Sequence, residues 1–166
     1  NPSLPWSVEL IKEYEHKWDW SNLSKNPSLP WSVELIKEYE HKWGWSNLSK
    51  NPSLPWSIEL IKEYEHKWDW YHLSWNRSLP WSVTLIERYK DNWDWDHNYG
   101  RFAIFSNEFF PWAVKFFDRY VHKVNFDDYP YTSDFSQNLA LSMELIERCK
   151  ENWDWYHLSQ NTSISW

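Results

Sequence analysis

The chain has 166 residues, 42% of them hydrophobic, which is enough to fill the core of one domain. Lysine and arginine total 17 against 24 acidic residues, and the net charge of −7 argues against a nucleic-acid binder, because a phosphate backbone requires clustered cations. No apolar stretch approaches the roughly 18 residues of a membrane span. The single cysteine, Cys149, excludes a disulfide framework and favours a reducing compartment such as the cytoplasm.

Tryptophan is unusually frequent, with 17 of the 166 residues. Many of these residues belong to one repeated segment, "LPWSVELIKEYEHKWDW", which occupies residues 4–20 and returns nearly unchanged at 29–45 and 54–70. Aligned on its W-D-W end, the repeats begin at Asn1, Asn26, Asn51, Asn76, Asn107 and Ser136, with a partial repeat from Asn161. The first four starts are 25 residues apart, and insertions within 96–106 and 127–135 lengthen the later spacings. Such a period predicts a protein in which each repeat packs on the next.

The first half of each repeat predicts a helix. Ser7 can act as the N-cap of the segment "VELIKEYEHK", because its side-chain oxygen can accept a backbone N–H at the helix start. Pro5 holds the entering chain extended. Trp6 and Ile11 have the N′ and N4 spacing of a hydrophobic staple. We therefore expect a helix over residues 8–17 and its equivalents in the other repeats.

The second half predicts a shorter helix, "WSNLSK", with Asp19 as its N-cap. At the equivalent position the second repeat has Gly44 and the fifth has Asn125, and both residue types are tolerated at an N-cap. An asparagine then follows the short helix, where a left-handed residue commonly ends a helix. We expect that conformation at Asn26, Asn51 and Asn76.

Apolar residues of the first helix recur at spacings of three and four, the period of an amphipathic helix. In the first repeat they are Val8, Leu10, Ile11, Tyr14 and Trp18. A repeat of 25 residues cannot bury this stripe alone, so its neighbours must cover it. We therefore interpret Trp6, Trp18 and Trp20 as packing joints between repeats rather than as a binding surface.

These elements predict an all-α fold, a right- or left-handed α-solenoid of about six helix–short-helix repeats, with residues 1–166 as a single repeat domain. The alternative is an α/β solenoid like that of leucine-rich-repeat proteins, because "KWDWSNLS" alternates with the period of a strand. Neither end has a polar capping repeat, so we expect the chain to be a piece of a longer one, or its ends to stack on something else.

The repeat pattern D-W-x-x-L-S-x-N, followed by L-P-x-S-x-E-L-I-x-x-Y-x-x-K-W-D-W, resembles short tandem tryptophan-rich repeats of uncharacterised bacterial and phage or viral proteins. The resemblance covers nearly the whole chain, loosely in the fifth and sixth repeats. Its motifs are specific for the type of repeat, and the resemblance implies no activity, cofactor or catalytic residue.

Histidines recur in two columns of the repeats. One column lies on the polar face of the first helix and comprises His16, His41, His66 and His122. It continues as Asp91 and Glu151, which favours a solvated face over a metal site. The other pair, His72 and His157, has the N3 position of the short helix and is expected to bond a local backbone group. The chain has two glycines, too few for a phosphate-binding loop, so we expect neither an enzyme nor a cofactor.

The two insertions depart most from the repeat. "DHNYGRFAIFS" and "DDYPYTSDF" are rich in aromatic residues and fall on the same edge of the expected solenoid. Repeat proteins place insertions on their binding faces, and tyrosine and arginine are frequent at interface hot spots. The candidate partner-binding residues are Tyr99, Arg101, Phe102, Asp127, Asp128, Tyr129 and Tyr131. The alternative is that the insertions only cap or kink the solenoid.

We expect a non-enzymatic scaffold that binds another protein or the remainder of its own chain. One alternative is a glycan-binding module that uses exposed rings such as Tyr71, Trp75 and Tyr99 as stacking platforms. Another is a mechanical spacer within a larger protein. The aromatic surface that stays exposed after folding discriminates the glycan alternative from the others.

Overall fold

The structure is a computed structural model that describes residues 4–95, 119, 142–148, 150, 151, 153–162 and 164. Every regular element in these residues is a short helix, and none is a strand. The helices are α1 (Val8–Glu13), α2 (Trp20–Lys25), α3 (Val33–Glu38), α4 (Trp45–Lys50), α5 (Ile58–Glu63), α6 (Trp70–Trp75), α7 (Val83–Arg88), α8 (Met143–Arg148) and α9 (Trp155–Leu158). The all-α prediction is confirmed for this part of the chain. A strand at the W-D-W segment, which the alternative fold requires, is absent from the copies described here.

In the part of the chain that the structure describes, no helix combines the length and the apolar composition that crossing a membrane requires.

The N-caps of the first helices are confirmed. The Ser7 hydroxyl oxygen accepts the Leu10 N–H at 3.2 Å, and the equivalent serine in the second repeat, Ser32, accepts from Leu35 at 3.1 Å. The predicted C-terminus is wrong, because α1 ends at Glu13 and not at residue 17. Two residues later the Glu15 N–H donates to the carbonyl of Lys12 at 3.3 Å, so the chain leaves the α-helical pattern and continues in turns.

A tryptophan explains where the helix stops. The Trp18 indole N–H donates to the Ile11 carbonyl at 3.0 Å, and this is the carbonyl that the Glu15 N–H would take in a continued α-helix. The same bond joins Trp43 to Ile36 at 3.1 Å in the second repeat. A side chain seven residues later in the sequence therefore supplies the hydrogen bond that this carbonyl at the helix end would otherwise lack.

The short helices also begin at the predicted caps. The Asp19 carboxylate accepts the Asn22 N–H at 3.0 Å, and Asp69 accepts the His72 N–H at 3.2 Å. Gly44 occupies this position in the second repeat without a side-chain cap, as its lack of a side chain requires.

The prediction of a left-handed backbone at the asparagines that follow the short helices is wrong. Asn26 has φ −77° and ψ 114°, which is extended backbone, and Asn51 and Asn76 have nearly the same angles. The Asn26 side-chain oxygen accepts the Ser28 N–H at 3.0 Å. The side chain itself turns the chain in this way, so no left-handed backbone is needed.

The chain divides into two compact units, Asn1–Pro80 and Trp81–Trp166. In the first unit α2 packs on α4, and α4 packs on α6. Its most deeply buried side chains come from these and the preceding helices and are Ile11, Leu35, Ile36, Leu48, Leu60, Ile61 and Leu73. In the second unit the helices α7, α8 and α9 bury the equivalent residues, which are Leu85, Ile86, Leu145, Ile146 and Leu158. One repeat domain over 1–166 stays a prediction.

Candidate interaction surfaces

Each of the three tryptophans in the second repeat donates its indole N–H to a backbone carbonyl of the same repeat. Trp31 donates to Asn26 at 2.9 Å, and Trp45 donates to Glu40 at 3.2 Å. Trp43, whose bond to the helix end is given above, is 5% exposed. The interpretation of the tryptophans as core is confirmed for Trp43, whereas Trp18, Trp31 and Trp45 are half-buried.

The aromatic joint between repeats is made by the last tryptophan of the W-D-W segment. The ring of Trp20, in the first repeat, lies 4.9 Å from Tyr39 and 4.9 Å from Trp43 of the second, measured between ring centroids. Between the second and third repeats, Trp45 lies 4.9 Å from Trp68. Rings at these separations and tilted angles gain a specific aromatic attraction in addition to buried area. The predicted role of Trp20 as a joint is confirmed.

A lysine completes this joint on its solvent side. The Lys42 ammonium lies 5.2 Å from the centroid of the Trp20 ring and forms an ion pair with Glu15, so it bonds two residues of the preceding repeat. Its hydrogen bond lowers the pKa of the Glu15 carboxyl. Lys67 makes the same ion pair with Glu40 one repeat later.

Polar side chains form a second, buried joint that the sequence reasoning missed. The Asn51 amide N–H donates to the carbonyls of Ser24 at 3.0 Å and Asn26 at 3.3 Å, both across the boundary between repeats. The Ser24 hydroxyl oxygen accepts the Gly44 N–H at 2.9 Å and donates to the Trp20 carbonyl at 2.6 Å. Asn51 is 2% exposed and Ser24 is fully buried. Each buried polar atom in this network has a partner, as a stable interior requires.

The next boundary repeats this network. Asn76 donates to Ser49 at 2.9 Å and to Asn51 at 3.4 Å, and the Asp69 N–H donates to the Ser49 hydroxyl oxygen at 3.0 Å. The signal in the sequence was an asparagine and a serine that recur in register with the buried leucines. When polar residues recur at equivalent buried positions of successive repeats, their side chains are expected to form hydrogen bonds inside the protein.

In the second and third repeats this face is covered by the repeat before it. In the first repeat the equivalent face is not covered in this way. We call this surface the open face and define it by Leu4, Lys17, Trp18, Asp19, Asn22 and Asn26. A groove of about 210 Å³ lies here, lined by Leu4, Trp6, Trp18, Asp19, Asn22, Leu23 and Asn26. Leu4 is 41% exposed, whereas the equivalent Leu29 and Leu54 are each 5% exposed. The groove is therefore the same surface that the later repeats bury.

The candidate partner-binding residues predicted from the insertions lie outside the described residues. They are Tyr99, Arg101, Phe102, Asp127, Asp128, Tyr129 and Tyr131. Their prediction as one contiguous patch therefore stays a prediction.

The histidine columns carry local structure in the described residues. His16, His41 and His66 are exposed, and among described residues no group of three or more histidine, cysteine or acidic side chains is arranged to hold a metal. His72 has the predicted N3 position, but its ring bonds the Asp69 carboxylate at 2.7 Å rather than a backbone group. Although burial opposes it, the hydrogen bonds from His72 lower the pKa of Asp69.

Exposed aromatic rings are found on the short helices of the third and sixth repeats. Tyr71 is 46% exposed and lies 6.5 Å from the half-buried Trp75, one helical turn away. Trp155 and Tyr156 are 52% and 70% exposed. These rings are the described residues that a glycan could stack on.

No protein-family model matches the chain, and no curated protein or solved structure matches it at a significant level.

Proposed function

We propose that this chain is a non-enzymatic scaffold whose helical repeats stack as an α-solenoid and hold a protein partner. The observation that supports it is the joint between repeats, in which Trp20, Lys42 and Asn51 link neighbours. The same set of contacts recurs between the second and third repeats. A joint repeated at a fixed interval gives an extended surface, which is the property that repeat scaffolds use.

The chemistry of the repeats suits a structural role. The indole N–H groups of Trp43 and Trp45 bond carbonyls of their own repeat, and the recurring asparagine and serine bond the neighbouring repeat. These polar groups therefore stabilise the fold of each repeat and its packing on the next. In this proposal the repeats are of the tryptophan-rich tandem type described above, and binding residues are found where the regular pattern is interrupted.

The proposed partner contact is formed by the aromatic insertions. A pull-down from cells of the source organism tests it, with the triple variant Tyr99→Ser, Arg101→Glu, Tyr131→Ser as the perturbed bait. The matched control carries Glu38→Gln and His41→Gln, two exposed residues of a regular repeat. We expect a protein that the native chain and the control retain and that the triple variant loses. Equal retention by all three baits contradicts the proposed contact.

A glycan-binding role is the second candidate, and the exposed ring of Tyr71 beside the half-buried ring of Trp75 favours it. Adjacent rings on a helix surface can present a stacking platform, because sugar C–H groups pack on aromatic faces. Binding of the chain to a glycan array, lost in Tyr71→Ala and unchanged in the insertion variant, would support this role in place of protein binding.

A further inference from the structure

The short helices α2, α4 and α6 differ in charge from the rest of the chain. The segments 20–27, 45–52 and 70–77 contain no acidic residue and carry one cation each, namely Lys25, Lys50 and Arg77. The first-helix segment 8–17, by contrast, has three glutamates and two lysines. In a chain of net charge −7, the short helices and the residues that follow them are therefore locally positive.

These three helices form one continuous surface. α2 packs on α4, and α4 packs on α6. The Asn47 amide donates to the Ser21 hydroxyl oxygen at 3.0 Å, and the Ser46 hydroxyl lies 3.2 Å from Nδ1 of His72, so side chains meet at both boundaries. We call this the short-helix surface and define it by Ser21, Lys25, Ser46, Lys50, Tyr71, Trp75 and Arg77. Helices in direct contact have axes about 8–10 Å apart, so one cation recurs at about this interval.

The packing of one repeat on the next leaves this surface accessible. The second repeat has a repeat on each side, and yet its Ser46 and Lys50 are exposed. The equivalent Ser21 and Lys25 of the first repeat are exposed as well. The exposure of these positions therefore does not depend on whether a further repeat adjoins them.

The third repeat adds aromatic rings to this row of cations. Over residues 54–78 it departs from the first repeat at five positions, namely Ile58, Tyr71, His72, Trp75 and Arg77. All but the first fall within 71–77, so the departures are concentrated on one short helix and the turn after it. The Tyr71 ring is 46% exposed and lies 6.5 Å from that of Trp75, measured between centroids. A stacking platform therefore adjoins the cation of Arg77.

We propose that the short-helix surface binds an acidic polysaccharide, with one sugar ring stacked on Tyr71 and the anionic groups of the polymer paired with Lys25, Lys50 and Arg77. This inference goes beyond the scaffold function, and it rests on the glycan candidate named above, to which it gives a chemical class. The hydroxyls of Ser21 and Ser46 lie between the cations and can hydrogen-bond sugar hydroxyls.

The spacing of the cations favours a sugar polymer over a nucleic acid. A single nucleic-acid strand carries one phosphate about every 3.4 Å and requires cations clustered to match. Here one cation recurs about every 8–10 Å, on a chain whose net charge is −7 and repels polyanions of high charge density. A polysaccharide with an anionic group on every second sugar presents its charges at roughly this wider interval.

Isothermal titration of the full chain with two acidic octasaccharides tests the proposal. Hyaluronan carries only carboxylates, on every second sugar, and chondroitin sulfate adds sulfates, so the pair separates the two anionic groups. The control is the neutral octasaccharide of N-acetylglucosamine. We expect saturable binding of at least one acidic ligand that weakens as sodium chloride is added, because exposed ion pairs are screened. Equal binding of the neutral ligand would overturn the acidic class and leave the glycan candidate, and no binding at all would refute both.

Variants locate the binding on the chain. Tyr71→Ala is expected to weaken it by about tenfold, as at an interface hot spot, and the double variant Lys25→Ser, Lys50→Ser by about two- to fivefold for each lysine. The matched control is Lys37→Ser, Lys62→Ser, which removes the same charge from exposed positions of the first helices. Thermal melts show that each variant folds. Equal losses in the two lysine pairs would mean attraction to net charge alone and would overturn the proposal.

Two further measurements separate the remaining outcomes. A single-stranded oligonucleotide with the same number of charges that binds more tightly than the octasaccharides would assign the surface to a nucleic acid and overturn the proposal. The insertion variant of the pull-down keeps the short-helix surface, so we expect it to bind the octasaccharide as the native chain does. A failed titration beside a successful pull-down therefore refutes only the polysaccharide site, and the reverse result refutes only the insertion contact.

Discussion

The first and second repeats have nearly the same sequence but different surroundings. Leu4 is 41% exposed and Leu29 is 5% exposed, and Trp18 is half-buried where Trp43 is 5% exposed. The local helices, their caps and the indole bond to the helix end are the same in both repeats. The neighbouring repeat, and not the residues themselves, therefore decides whether this face becomes core.

This pair of repeats gives matched controls for mutagenesis. A substitution in the second repeat removes local contacts and contacts to a neighbour, whereas the same substitution in the first repeat removes mainly the local ones. The difference between the two free energies of unfolding measures the joint itself.

The largest effect is expected for Trp43→Ala. This change removes a buried ring that packs on Trp20 and Trp31 and leaves the Ile36 carbonyl without its indole donor, so we expect a loss of roughly 3–5 kcal/mol. Trp18→Ala should cost clearly less. Urea titrations of both variants decide the matter, and equal losses would mean that the tryptophan stabilises only its own repeat.

Asn51→Ala should have the next largest effect. It leaves the buried Ser24 carbonyl without the amide donor, at a cost of about 1–3 kcal/mol. Asn26→Ala is the control, because it removes the same bond to the serine two residues later without uncovering a buried joint. Denaturant midpoints that fall equally in both variants would show that the asparagine acts through the turn alone.

A smaller gain is expected for Gly44→Asp. Gly44 has φ −79°, which any residue can adopt, and the new carboxylate can accept the Asn47 N–H as Asp19 accepts that of Asn22. A Cβ here lies 3.2 Å from the Asn47 amide nitrogen, the end of a flexible side chain that can move. We expect a stabilisation of a few tenths of a kcal/mol in a thermal melt. A loss instead would show that the bonds from Asn47 to Ser21 matter more than the cap.

The smallest expected effect is on the pH dependence of stability. Hydrogen bonds from Lys42 and Lys67 lower the pKa of Glu15 and Glu40 in the folded chain. Their contribution is therefore fully present above the ordinary glutamate range, near pH 4–4.5, and is lost as the pH falls from that range through the lowered pKa values of the folded chain. We expect melting temperatures between pH 7 and pH 3 to fall more steeply in the native chain than in the Lys42→Met, Lys67→Met variant. Parallel curves would contradict this linkage.

The predictable features of the fold are those that depend on near neighbours. Ser7 and Asp19 are caps because each bonds an N–H three residues ahead, and that spacing can be seen in the sequence. The predicted end of α1 lies too far along the chain, because the competing donor, the Trp18 indole, comes from beyond the helix. The predicted left-handed backbone of Asn26 is wrong, because its side chain forms the turn in place of a left-handed residue.

The candidate site could be predicted only in part. The role of Trp20 as a joint followed from the repeat and from the size of its ring, and the contact with Trp43 confirms it. The ion pair of Lys42 with Glu15 could not be predicted from the sequence. The two residues belong to different repeats, and within its own repeat each is an ordinary charged residue. The insertions are predicted to bind a partner because they interrupt the repeat, and the pull-down tests that prediction.

The sequence by itself determined the period, the caps and the apolar stripe, because these depend on residues within one repeat. Only the tertiary structure decided which copies of an identical surface are covered. The bonds that distinguish Asn51 from Asn26 join residues 25 and 27 positions apart, across a boundary between repeats. Burial is a property of two surfaces in contact, so the same residues form core in the second repeat and an open groove in the first.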